Sequence, residues 1–232
     1  MGTSDLQNTT AAILDRFDIL SAARDRALTE GRQIVRLSAN TVRAVHRGEL
    51  AEAAALLAEA KALLSALIEH LAPYPSIYWA GYVQDAMKEF AEANLTLAVV
   101  GGERIPGPDD LGVEDAPYLN ALAESASELR REVLDRLRAD ELERAEHLLA
   151  VMDDVYDVLI TVDFPDAITG GLRRTTDQLR AVLERTRGDL TVTLTQKRLQ
   201  RSLAEARRAL GDQSTSDEIE DLPTVPTTED LS

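Results

Sequence analysis

Carboxylates at helical spacing are the first feature of this sequence that could do chemistry. Asp85, Glu89 and Glu92 stand at offsets of 4 and 7, which places them on one face of a helix. Glu124 and Glu128 form a second pair four residues apart, and Asp153, Asp154 and Asp157 form a third cluster. Like charges stacked in this way repel, so each cluster requires a divalent cation, arginines or open solvent. With 41 Asp and Glu in the chain, a solvated acidic face is the ordinary fate of any one cluster.

Arginines group as well. Arg24, Arg32, Arg36, Arg43 and Arg47 follow one another along the first segment, and Arg173 and Arg174 stand together further on. Such groups serve either as ion-pair partners for the surplus carboxylates or as phosphate contacts. The histidines, His46, His70 and His147, fall in three separate segments and read as surface or helix-end residues, not as ligands. A Gly-rich phosphate loop, a dinucleotide-binding glycine pattern and an HExxH zinc motif are all missing, so the enzyme classes built on them are excluded.

Composition narrows the setting. The 232 residues contain no cysteine, which excludes disulfides, thiolate metal sites and cysteine nucleophiles. No secretory h-region or membrane-spanning apolar run occurs, so no membrane partner is expected and the expected location is cytoplasmic. The formal net charge is -16, and the basic residues are arginines except for Lys61, Lys88 and Lys197. That balance fits a halophilic, salt-rich cytoplasm, where repulsion is screened over ~3 Å at molar salt; a GC-rich genome is the alternative source of the arginines. A chain this acidic cannot hold nucleic acid by general surface charge and requires a local arginine face or a bridging cation.

The elements that must position these residues are helical. Apolar positions predict seven amphipathic helices, at about 6–47, 49–72, 76–100, 117–138, 140–162, 166–187 and 190–210. Ile13, Phe17, Leu20, Leu28, Ile34, Leu37 and Val45 mark the buried face of the long first helix. Trp79, Val83, Met87, Phe90, Ala93 and Leu97 mark that of the third. Gly48 and Gly188 are expected helix ends, and Ser76 and Asp140 expected caps. The fold class is therefore all-α, with a helical domain over 1–210. Residues 211–232, acidic and with Pro223 and Pro226, form an expected disordered tail.

Four segments in register carry a family resemblance. Ala23-Arg24-Asp25 through Gly31-Arg32 to His46-Arg47 resembles the first long helix of the translin superfamily. Glu114 to Leu122 with Ala126-Ser127-Glu128-Leu129, then Val155-Tyr156-Asp157, then Leu172 to Leu179, resemble three further motifs of that superfamily, over about residues 15–190. Glu89 and Glu92 resemble the Glu-x-x-Glu of its translin-associated factor X branch, and Glu124 stands where that branch has an Asp. The chain is thus identified as resembling an archaeal translin close to the nuclease branch. The resemblance implies a seven-helix translin-like bundle. It implies a Mg²⁺-dependent endoribonuclease with Glu89, Glu92 and Glu124 as catalytic residues, and with the same three and Glu128 as metal-binding residues. Arg24, Arg32, Arg36, Arg43, Arg173 and Arg174 would contact single-stranded RNA or ssDNA inside a homo-oligomeric, octameric shell. The alternatives are a catalytically silent RNA- or ssDNA-binding protein of the translin type, and a helical scaffold or adaptor.

Overall fold

Two long helices in this chain, the first and the fourth, stop where a glycine can turn left-handed. The first, α1 (Thr3–His46), ends at Gly48, whose φ is +77°. There the Glu49 N–H reaches back to the Ala44 carbonyl at 2.9 Å, the bond that closes a Schellman turn. The Ala/Leu-rich α2 (Leu50–Leu71) follows. A four-residue helix, α3 (Pro75–Tyr78), leads to α4 (Gly81–Gly101), which Gly102 ends at φ +74°. After α5 (Pro108–Leu111) come α6 (Asp115–Arg138), α7 (Leu142–Leu159), the single turn α8 (Asp166–Thr169) and α9 (Leu172–Ser214). This computed structural model describes residues 3–214, with side chains to residue 209. The described residues fall into two units, divided after Gly188.

The all-helical architecture is as the sequence reads, and no strand occurs among the described residues. Several boundaries differ. The expected sixth helix loses its first turn to α8 at Gly170 and Gly171, and from Leu172 it runs on into the seventh as one helix, because Gly188 lowers helix propensity but supplies no stop. The Thr-Val-Thr-Leu-Thr stretch is helical although β-branched residues favour strands. In it the Thr193 and Thr195 hydroxyls donate to the carbonyls of Asp189 and Thr191, four residues back. Ser76 caps nothing, because Pro75 starts α3 and the chain breaks again before Gly81. Asp140 is no N-cap either; it takes φ +68° in the α6–α7 turn. Most of the expected tail lies outside the described residues.

The main core of the Met1–Gly188 unit packs α1, α2 and α4 around Ile34, Leu64, Leu67, Met87 and Phe90, all essentially inaccessible. Helix α6 lies between α4 and α7. Ala86, Ala91 and Ala93 on α4 and Ala121, Ala123 and Ala126 on α6 are all buried. Such small side chains let two helices approach closely. Arg144 of α7 donates to the Val99 and Val100 carbonyls at 3.1 and 2.9 Å, adding to the Gly102 N–H that already reaches Val99 at the end of α4. Asn120 donates to the Ala116 and Thr169 carbonyls and accepts from the Thr175 hydroxyl, tying α6 to α8 and to the start of α9. Two residues read as core are on the surface: Phe17 is 61% and Trp79 60% exposed.

Candidate metal centre and nucleic-acid grooves

Close approach of α4 and α6 brings their carboxylates together. Glu89 and Glu92 leave α4 on its α6 side, and Glu124 meets them from α6. One oxygen of each lies within 4.8 Å of the others. Each residue is partly buried. Convergent carboxylate oxygens from two braced helices are the donor set that a hard divalent cation takes. Asp85, one turn earlier on α4, is 58% exposed and stays at the rim. The third acidic cluster forms no such centre: Asp154 and Asp157 are exposed, and Asp153 pairs with Arg187.

Repulsion within the trio is visible in its electrostatics. Burial, then the charges of Glu89, Glu124 and Glu128, push the Glu92 carboxyl up to about 8, with Lys88 opposing them. Lys88 is the counter-ion that the sequence reading missed. Its Nζ lies 2.7 Å from Glu124 Oε2, 3.2 Å from Glu89 Oε1 and 3.6 Å from Asp85 Oδ1. Burial works against the ammonium, but the contacts to Glu124 and Glu89 outweigh it and raise its pKa. The available signal was compositional: one of only three lysines stands next to Glu89.

Glu128 sits beside the trio without joining it. His46, in the last turn of α1, makes a 3.0 Å hydrogen bond from Nε2 to Glu128 Oε2. This bond holds Glu128 below the usual carboxylate range against burial, with the charges of His46 and Arg131 assisting. His46 is a helix-end residue, as read, but its side chain is only 5% exposed, which corrects the surface half of that reading. The end of α1 packs on α2 and α4 around Ala44, Val45 and Ala53, and His46 reaches from there to Glu128 on α6.

Two grooves flank the trio along α6. One, of about 690 Å³, runs from Lys88 and Glu124 past Gln84, Trp79 and Gln178 to Arg174. The other, of about 450 Å³, runs from Glu128 past Arg130 and Arg131 to Arg138. Of the arginines singled out from sequence, Arg174 lines the first groove. Arg173 is turned to Asp163 at 3.3 Å. Arg24, Arg32, Arg36 and Arg43 are exposed on α1 and line neither groove; Arg24 pairs with Asp25 and Arg43 with Asn40. The α6 arginines escaped the sequence reading because they alternate with carboxylates and read as ion-pair partners.

Among the described residues no helix is long and apolar enough to cross a membrane. No family model matches the chain. It is 28% identical over 196 residues to an uncharacterized protein of Methanocaldococcus jannaschii, covering 82% of this chain and 84% of the relative. Among solved structures, AfC3PO in complex with duplex RNA is 32% identical with a TM-score of 0.76, covering 81% of this chain and 97% of that one. AfC3PO crystallised alone is 31% identical at a TM-score of 0.74, over 81% and 97% of the two chains. Apo-NeC3PO is 20% identical at 0.72, over 79% and 96%, and shares the fold. With the four in-register motifs and this likeness over nearly the whole of its solved relatives, the chain belongs to the translin superfamily.

Proposed function

We propose that this chain is a nucleic-acid-binding subunit of a C3PO-like assembly that cleaves single-stranded RNA with a divalent cation, Mg²⁺, held by Glu89, Glu92 and Glu124. One observation carries the reading: three carboxylates from two helices meet within 4.8 Å. A scaffold would leave them splayed into water. When bound, the cation would supply a polarised water and positive charge for the phosphodiester. The protein's own part is to fix the carboxylates and hold the strand. Arg174 on one side of the trio, and Arg130, Arg131 and Arg138 on the other, suit a phosphate backbone crossing the site. Trp79 offers an exposed ring on which a base can stack.

The RNA complex formed by AfC3PO supports RNA as the ligand. Assembly is supported by the exposed apolar side chains Leu6, Leu14, Phe17 and Ile19 on α1 and Val158, Ile160, Phe164 and Ile168 around the end of α7. Exposure on this scale suits burial against further copies, and an octameric homo-oligomer is the form proposed. The acidic composition supports a halophilic, archaeal cytoplasmic setting. Glu124 is one methylene longer than the Asp of the nuclease branch, and it still reaches the common point.

The experiment is cleavage of a labelled single-stranded RNA at high KCl, with Mg²⁺ or with EDTA, beside Glu89→Gln. The expected result is Mg²⁺-dependent cleavage lost in the variant while assembly, followed by light scattering, is unchanged. Undiminished cleavage by the variant refutes the metal site. A second reading, an RNA- or ssDNA-binding subunit without cleavage, is favoured by Lys88, whose ammonium already neutralises part of the trio. Binding that persists in EDTA with no cleavage in Mg²⁺ would establish it.

A further inference from the structure

We propose that the Lys88 ammonium is the resident counter-ion of the acidic site, and that a divalent cation binds only by displacing it from Glu89 and Glu124. The inference rests on the metal-site reading above and goes further, because it names a residue that sets the affinity. Lys88 Nζ spans the two helices: it is 3.2 Å from Glu89 Oε1 on α4 and 2.7 Å from Glu124 Oε2 on α6. Those are two of the three residues whose oxygens converge. A cation that took both carboxylates would meet an ammonium of like charge at the same oxygens. The two positive groups exclude each other by Coulomb repulsion and by competition for lone pairs.

The displaced side chain has somewhere to go. Lys88 also lines the 690 Å³ groove shared with Arg174 and Trp79, and a flexible four-carbon stem lets its ammonium turn into that space. Asp85 Oδ1, at 3.6 Å, stands at that rim to receive it. Glu92, which makes no ion pair among the described residues, is the carboxylate left without direct neutralisation while Lys88 holds the other two. The arrangement keeps the site assembled without metal and weakens its hold on any cation that arrives. Lys88 thus tunes affinity: it acts through the carboxylates and sets how much metal is needed.

The test is Mn²⁺ binding by calorimetry to the full chain at fixed KCl, comparing the unaltered protein with Lys88→Met, Lys88→Gln and Lys88→Arg. The Met and Gln variants are expected to bind Mn²⁺ about tenfold or more tightly, since each removes one competing unit charge. The Arg variant is expected to remain close to the unaltered protein. Equal affinity across the set overturns the displacement and leaves the metal site standing; no Mn²⁺ binding by any of them overturns both. A second readout needs no variant. The sequence has three lysines, Lys61, Lys88 and Lys197, so protein labelled with ¹³C at lysine Cε gives few signals. Diamagnetic Mg²⁺ should move the Lys88 signal saturably and leave that of Lys61 in place. A Lys88 signal that stays fixed while Mn²⁺ binds the same protein overturns the inference.

Discussion

Replacing Glu92 by Gln should stabilise the metal-free protein and remove its response to metal, two effects that a purely structural residue would not combine. The ordinary glutamate value is 4.5, and burial among Glu89, Glu124 and Glu128 raises Glu92 to about 8. Below the lower value the carboxyl is protonated in both folded and unfolded chains, and it costs nothing. Between the two values the unfolded chain ionises while the site keeps its proton, so stability falls as pH rises. Above about pH 8 the loss is complete. At about 1.4 kcal/mol for each pH unit between the two values, it is on the order of 5 kcal/mol. Glutamine mimics the neutral acid and escapes the loss. Urea unfolding in EDTA should therefore show the variant more stable by several kcal/mol at about pH 8.5 and level with the unaltered protein at about pH 4. Saturating Mg²⁺ at the higher pH should narrow the difference, because only the carboxylate gains by binding. A variant that is less stable in EDTA at high pH, or that still gains stability from Mg²⁺, would refute this account of the trio.

Other outcomes follow from the same geometry. Arg131→Ala and Arg174→Ala should each weaken RNA binding and lower the slope of log affinity against log salt by about 1, read by fluorescence anisotropy over a KCl series. Trp79 is the single tryptophan of the chain, so its emission should be quenched by single-stranded oligonucleotide; an unchanged spectrum at saturating RNA would place the strand elsewhere. Phe90→Ala should cost about 3–5 kcal/mol in urea unfolding, since Phe90 is 0% exposed among α1, α2 and α4. The melting temperature should rise with KCl, because added salt screens a chain of net charge -16; a flat or falling profile would remove the halophilic setting.

Much of the architecture was legible because periodicity and glycine punctuation report on local physics. Gly48 and Gly102 end helices as sequence logic requires, and the α4 stripe from Val83 to Phe90 is buried. Legibility failed where a tertiary choice overrode a local signal. Gly188 reads like Gly48, yet no left-handed turn follows it and α9 continues. The meeting of Glu89, Glu92 and Glu124 was reached through family resemblance; spacing alone placed the first two on one helix face and had no means of bringing the third across. Lys88 and His46 were invisible for the same reason. Their importance lies in partners 36 and 82 residues away, and a side chain that bridges two helices leaves no periodic trace on either.

The converging carboxylates all come from neighbouring helices of a single polypeptide. In an assembly of the proposed kind, each copy would bring these three carboxylates from its own helices. In particles reconstituted from intact and Glu89→Gln chains, activity should decline in direct proportion to the fraction of inactive copies. Centres shared across an interface would instead give a curve that bends. On the proposed reading, a linear decline would make catalytic capacity a property of the chain and leave the shell to govern only what reaches it.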